Sequence, residues 1–405
     1  MGNNEELIYV TLLGIRGVTF IFSTILIAFL YYYINTMKKV VIGISGGVDS
    51  AVSAAILKNQ GFDVIGVFMQ NWDPFLNNEA TDSKKINIGV CDVEYDFKVA
   101  SNICKKLEIP LHRVDFIKAY WKNVFTPFLE DYQKGWTPNP DILCNKYIKF
   151  GTFFDYCLNQ FNCDFIATGH YANVAYNKRK HEYQLLCAKD ANKDQTYFLC
   201  SLTQSQLAKT LFPIGNYYKS EIREIAKQLN LSNWDRKDST GICFIGERNF
   251  VNFLKNYLPQ CEGKIVDVKT NKVVGIHDGV YFYTVGQRKG LNLGGNLQSY
   301  FVCAKDIQNN ILYVVSNDCK QELLNTNCTQ CINFNWINQI PNNCEVQIKF
   351  RHSPKKYDGT FTIENGKVIL HHSLASAVTL GQYAVIYKDQ VCLGGGQIIN
   401  TYYKK

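Results

Sequence analysis

Residues 44–52 read ISGGVDSAV, and they pack two glycines, two serines and an aspartate into positions 45–50. An apolar run, KVVIGI, precedes them, and a stretch with apolar residues at helical spacing follows. A glycine-rich turn between a buried strand and a helix exposes backbone N–H groups. The partial positive charge of the helix N-terminus then favours an anion. Gly46 and Gly47 allow a phosphate to approach the backbone, and Ser45 and Ser50 offer hydroxyls. Asp49 offers either a helix cap or a carboxylate to help hold a magnesium ion near phosphates. No lysine follows the glycines as in GxxxxGK[ST], and the GxGxxG spacing is missing, so the stretch is neither a Walker loop nor a dinucleotide fingerprint. A generic glycine-rich turn is the alternative.

Two cysteines lie in stretches that read as loops or loop–helix junctions. In TPNPDILCNKYIKFG, residues 137–151, two prolines and two asparagines stiffen a loop. Cys144 is expected at or near the start of the helix that follows, where the helix N-terminus and Lys146 would favour a thiolate. Asp141 stands three residues earlier, within reach for proton transfer. A buried structural cysteine is the alternative, and the polar neighbours Asp141, Asn145 and Lys146 argue against an apolar site. In DSTGICFIGERNF, residues 238–250, Cys243 lies between Gly241 and Gly246, in a loop with room to move; taken alone, such a residue is more often a core cysteine than a catalytic one. A third stretch, KDQTYFL, residues 193–199, is expected to open a helix with polar groups suited to a phosphate or a base edge.

The elements that must position these groups follow from hydrophobic spacing. KVVIGI is a buried parallel strand. Ala51, Val52, Ala55 and Ile56 mark a helix that Gly61 stops. DVIGVFM is a second buried strand, so the first unit is βαβ. PLHRVDF, IKAYWKNVFTPFLEDY and DFIATGH continue the alternation to about Trp234, which predicts an α/β fold with a doubly wound parallel sheet. After about Gly246 the strands are short and the turns tight, with Asn365-Gly366 a hairpin signal. A small β-rich central domain and a C-terminal β-barrel are expected. The predicted divisions are 1–36, 37–246, 247–316 and 317–405.

The net charge of +8 over 405 residues permits a polyanionic partner without demanding one. The 15 cysteines are irregularly spaced, and most read as small core residues in a reducing compartment. Cys328 and Cys331 form one CxxC with no second pair, so no protein-held metal is expected. Residues 17–34 carry no charge and are long enough to span a bilayer. Three readings compete for residues 1–36: a membrane anchor, a targeting segment, or a stretch upstream of a start at Met37. A working anchor is the least favoured.

SGGVDS resembles the pyrophosphate loop of the ATP pyrophosphatase class, which cleaves ATP between its α- and β-phosphates. SGGVDS, NPDILCNK, ATGHYA, KDQTYFL, TGICFIG and TVGQRKG occur in the order found in the tRNA-specific 2-thiouridylases, and the resemblance covers nearly all of the chain after residue 36. It implies an N-type ATP pyrophosphatase catalytic domain of the adenine nucleotide alpha hydrolase kind. Gly43, Ile44, Ser45, Gly46, Gly47, Val48, Asp49 and Ser50 would hold the ATP phosphates, and Met69 and Gly169 would line the nucleotide pocket. Asn139, Pro140 and Asp141 would meet the target base. His170, Lys193, Asp194, Gln195, Arg351, His352 and Gln382 would contact tRNA.

The implied reaction is 2-thiolation of the wobble uridine. ATP adenylates the C2 oxygen and a persulfide on Cys243 supplies sulfur. Cys144 is the partner thiol, and a transient Cys144–Cys243 disulfide follows. A persulfide-relay protein would be the donor. The style of FMQNWD and DILCNKYIKF, with the N-terminal extension, suggests the mitochondrial branch of the family, with the cytoplasm as alternative. The competing functions are an ATP pyrophosphatase ligase acting on a small metabolite and a non-catalytic RNA-binding protein.

Overall fold

The computed structural model describes residues 37–73, 86–236, 250–293, 299–341 and 345–404, with only the backbone course given for 86–92. Five parallel strands form the first sheet in the order β3-β2-β1-β4-β7: β1 Lys39–Gly43, β2 Asp63–Gln70, β3 Leu111–Asp115, β4 Phe165–Ala167 and β7 Thr210–Leu211. Both faces are covered, as an all-parallel sheet requires. Val40 and Ile42 pack with Ala54 and Leu57 of α1 (Val48–Asn59) and Ala100 and Cys104 of α2 (Ile86–Lys106). Val41, pointing the other way, packs with Phe125 of α3 (residues 117–133) and Phe153 of α4 (residues 140–161). All three β1 side chains are fully buried, each worth about 1.5–3 kcal/mol relative to exposure. The continuous apolar run in KVVIGI is thus explained by burial on two faces.

Helix α4 is not a uniform α-helix. From Cys144 to Thr152 it widens into π-type turns, a feature often found at functional sites. Asn139 caps its start, accepting from the Ile142 N–H at 3.2 Å.

The central domain is a four-stranded sheet, β10-β11-β8-β9, from β8 Gly263–Asp267, β9 Lys272–His277, β10 Tyr300–Asp306 and β11 Ile311–Ser316. The C-terminal strands are β12 Asn325–Trp336, β13 Glu345–Lys349, β14 Tyr357–Glu364, β15 Lys367–Ser376, β16 Tyr383–Lys388 and β17 Val391–Tyr402. They follow the order β12-β15-β14-β13-β16-β17, and β12 pairs back onto β17 to close a six-stranded barrel. Asn365 (φ 49°) and Gly366 (φ 74°) make the β14–β15 turn, with both residues left-handed as a two-residue type I′ hairpin demands.

One element interrupts the strand–helix alternation predicted up to Trp234. Strands β5 (Asn173–Asn177) and β6 (Glu182–Leu186) form a hairpin that leaves the parallel sheet, and Leu185 and Leu186 pair with Cys392 and Val391 of the barrel. The parallel-sheet domain and the barrel therefore share backbone hydrogen bonds.

Candidate active site

The glycine-rich loop leaves β1 at the carboxyl edge of the sheet. Here β2 lies on one side of β1 and β4 on the other, the topological switch point at which open α/β sheets bind ligands. The loop is internally braced. The Ser45 N–H donates to Ser50 Oγ at 3.3 Å, and the Ser50 hydroxyl donates to the Gly47 carbonyl at 3.1 Å. Gly46 is left-handed (φ +77°), and a Cβ there would stand 2.8 Å from the Asp96 carbonyl. Asn233 donates to the Gly46 carbonyl at 2.8 Å, and Arg236 does so at 3.4 Å while pairing with Asp96 at 2.6 Å. Opposite, a Cβ on Gly169 would lie 2.8 Å from the Ser50 backbone nitrogen, so the β4 turn closes against the first turn of α1. The Met69 methyl lies 3.2 Å from the Cβ position of Gly43. Gly43, Met69, Gly169 and residues 44–50 therefore converge on one crevice.

Asp49 is not the helix cap. Gly47 occupies that position without a side-chain bond, and Asp49 sits in the first helical turn. Its two oxygens instead take the Lys219 ammonium at 2.8 and 2.9 Å, and Oδ1 also accepts the Tyr171 hydroxyl at 2.9 Å. Lys219 begins α5 (Lys219–Gln228). Among the described residues no group of three His, Cys, Asp or Glu side chains is arranged to hold a metal ion.

Helix α4 joins this crevice to the first thiol. Phe153 approaches within 3.7 Å of the Cβ position of Gly43. One turn earlier, the Lys149 ammonium stands 3.5 Å from His170 Nε2. A lysine ammonium has only protons to give, so Nε2 accepts and Nδ1–H donates to Thr168 Oγ1 at 2.7 Å. Burial holds His170 well below the ordinary histidine range, and the Lys149 charge adds to that depression.

Cys144 differs from its sequence expectation in two respects. Helix α4 begins at Pro140, so Cys144 is near its start but already the fifth residue, and the dipole effect fades beyond the first turn. Its side chain is 1% exposed and belongs to the apolar core. Asn145 is equally buried and donates to the Phe198 carbonyl at 2.9 Å. Cys243, with the rest of residues 237–249, lies outside the described residues.

The expected RNA-contacting residues divide into two sets. Asp194 is buried and forms an ion pair with Lys349 of β13 at 3.0 Å. It also accepts from the Ala188 N–H and the Thr196 hydroxyl. The segment that was expected to open a helix is a single 3₁₀ turn, Thr196–Leu199, since Thr196 and Tyr197 are committed to the barrel: the Tyr197 hydroxyl donates to the Tyr383 carbonyl at 3.0 Å. Gln195 accepts the Tyr171 N–H at 2.9 Å, and His352 Nε2 lies 3.0 Å from the Asp194 carbonyl. Gln382 donates to the Thr137 and Pro138 carbonyls at 2.9 and 3.1 Å, and Asn139 donates back to it at 3.3 Å. Arg351 and His352 are both exposed, Arg351 donating to the Ala377 carbonyl at 2.7 Å, and Lys193 is half-buried.

Lys219, Tyr171, Asn233 and Arg236 were not singled out in the sequence. Their contacts with the loop span 122 to 190 residues, and no local pattern marks such pairs.

Comparison with known proteins agrees with the three-part fold. Three family models match: "tRNA methyl transferase HUP domain" over residues 38–247, "tRNA methyl transferase PRC-barrel domain" over 251–316, and "Aminomethyltransferase beta-barrel domain" over 326–398. The chain is 58% identical over 364 residues to the tRNA-specific 2-thiouridylase MnmA of Malacoplasma penetrans, spanning 89% of this chain and 98% of that protein. It is 50% identical to the protein of that name from Mycoplasma capricolum (89% and 98% covered) and 49% identical to that from Ureaplasma urealyticum (91% and 97%). These relatives are bacterial, which overturns the expectation of the mitochondrial branch and of a mitochondrial location. The extension at residues 1–36 lies outside the described residues. The chain belongs to the tRNA-specific 2-thiouridylase family.

Proposed function

We propose that this enzyme, an ATP-dependent tRNA thiolase, acts on the C2 position of the wobble uridine through residues 43–50 and the thiols Cys144 and Cys243. A uridine C2 oxygen is a poor leaving group. Attack by that oxygen on the α-phosphorus of ATP expels diphosphate and leaves an adenylated base. The loop's backbone N–H groups and the hydroxyls of Ser45 and Ser50 hold the phosphates, and Asp49 is the loop carboxylate nearest any magnesium that they carry. Asn139, Pro140 and Asp141 meet the base, with Asp141 moving a proton. The Cys144 thiolate attacks the inner sulfur of the Cys243 persulfide. Hydrosulfide leaves, adds to C2 and displaces AMP, while the two cysteines end as a disulfide that a dithiol reductant reopens. A persulfide-bearing protein recharges Cys243.

Because Cys144 is packed in the core, its role requires local opening where α4 widens into π-type turns. Of the expected RNA contacts, Arg351 and Lys193 would meet phosphates. Asp194, Gln195, His352 and Gln382 would act chiefly by holding the base-binding loop and the barrel in register, with His170 beside them.

The observation that carries this reading is the continuity of α4, which packs under the phosphate loop at Phe153 and carries Cys144 nearer its start. The direct test supplies ATP, unmodified tRNA and a persulfide donor, then measures 2-thiouridine in nuclease digests. Native enzyme forms it. Cys144→Ser is expected to lose roughly 10³-fold or more while ATP affinity stays within about twofold. Undiminished 2-thiouridine formation by both Cys144→Ser and Cys243→Ser would overturn the two-thiol route.

A further inference from the structure

We propose that Lys219 is a phosphate-binding residue of the nucleotide site, supplying the ammonium that the loop lacks. The inference rests on reading the loop as an ATP site. Residues 43–50 contain no basic side chain, yet a triphosphate is a dense polyanion whose sites ordinarily add a cation to the N–H cradle. Lys219 arrives from α5, 170 residues away, and both Asp49 oxygens lie within 2.9 Å of its ammonium. Asp49 stands in the first turn of α1, beside the N–H groups that face the anion. A cation one hydrogen bond from that carboxylate stands at the rim of the phosphate cradle.

The position is built rather than incidental. The Lys219 side chain is 12% exposed. Its backbone N–H donates to Asp190 Oδ2 at 3.1 Å, which fixes the start of α5, and the Tyr171 ring lies 5.9 Å from the ammonium. An ammonium on a four-carbon stem can turn from Asp49 toward a phosphate oxygen without backbone movement. Cleavage between the α- and β-phosphates places new negative charge on the departing diphosphate, and a lysine held there stabilises that charge as it develops. Lys219 thus serves the diphosphate half of ATP and leaves the adenosine half to the Met69 side of the crevice.

The test compares binding of α,β-methylene-ATP and of AMP to the full chain, native and substituted, by calorimetry, with thermal melting as the check on folding. Lys219→Gln and the equally long Lys219→Met are both expected to weaken α,β-methylene-ATP by roughly 10- to 100-fold, with AMP changed by less than about twofold. Lys219→Arg is expected to retain affinity within about fivefold, because charge is kept and geometry altered. Parallel loss of both nucleotides, no loss of either, or unfolding of both the Gln and Met variants would show that Lys219 serves the fold through Asp49, and would overturn the proposal. If the native chain bound neither nucleotide, the reading of the loop itself would fall, a result distinct from a selective null in the variants.

Discussion

In the glycine-rich loop, Ser45, Gly47 and Ser50 find their hydrogen-bond partners within five residues. At the seam between the parallel-sheet domain and the barrel, polar groups reach much further: Asp194 to Lys349 across 155 residues, and Gln382 to Thr137 across 245. The turn of the loop is set locally by its own glycines and serines, while Gly46 and Asp49 are held from outside by Asn233, Arg236, Tyr171 and Lys219, 122 to 190 residues away. The seam is a tertiary device whose polar side chains have meaning only when the barrel is in place. The two regions should respond differently to substitution. Loop changes should alter nucleotide affinity with modest effects on stability, whereas seam changes should alter stability first.

Lys349→Met tests the seam most severely. It leaves the buried Asp194 carboxylate without its cation, which is expected to cost about 3–5 kcal/mol in denaturant unfolding. Adding Asp194→Leu should recover much of that loss, because an apolar pair replaces a buried ion pair at little net cost. Failure of the double variant to recover would mean that Ala188 and Thr196 need the carboxylate more than Lys349 does. Gly169→Ala tests the crevice. The new methyl would press on the Ser50 backbone, with an expected cost of about 1–3 kcal/mol. ATP affinity should fall with it, while tRNA affinity is unchanged in filter binding. Equal loss of both ligands would erase the distinction between the regions.

His170 gives a pH signature of intermediate size. Burial lowers its folded-state pKa, so the unfolded chain takes up the proton first as pH falls. Its contribution to stability is present above the unfolded value near 6.5 and is lost below it, by at most about 1.4 kcal/mol per pH unit. Unfolding of native and His170→Asn proteins between pH 7.5 and 5.5 should show a shallower acid loss in the variant; matching slopes would contradict the assignment. The smallest effect belongs to Arg351→Ala. If its exposed guanidinium meets one phosphate, the slope of log affinity against log salt should fall by about one, with stability changed by less than about 0.5 kcal/mol.

The same contrast explains what could be read in advance. The apolar run of β1, the break at Gly61, the Asn365-Gly366 turn and the glycine-rich turn between β1 and α1 are short-range patterns, and each stands in the structure as its residues imply, apart from the cap offered to Asp49. The environment of Cys144 was misjudged for a geometric reason. Asn145 and Lys146 follow it immediately in sequence, but residues one or two apart on a helix do not share a face, so polar neighbours in the string said nothing about where the thiol points. The KDQTYFL segment was misread because its polar groups looked outward in isolation, whereas Asp194, Thr196 and Tyr197 are paid for by barrel residues far along the chain. Lys219 had no signal at all, since its carboxylate partner lies in another supersecondary unit.

The measurement closest to the central claim follows one oxygen atom. With tRNA carrying ¹⁸O at the wobble-uridine C2 position, ATP and a persulfide donor, the enzyme should release AMP bearing ¹⁸O in step with 2-thiouridine formation, because the displaced base oxygen leaves on the α-phosphate. Unlabelled AMP, or release of ADP in its place, would contradict adenylation of the C2 oxygen and with it the role assigned to residues 43–50.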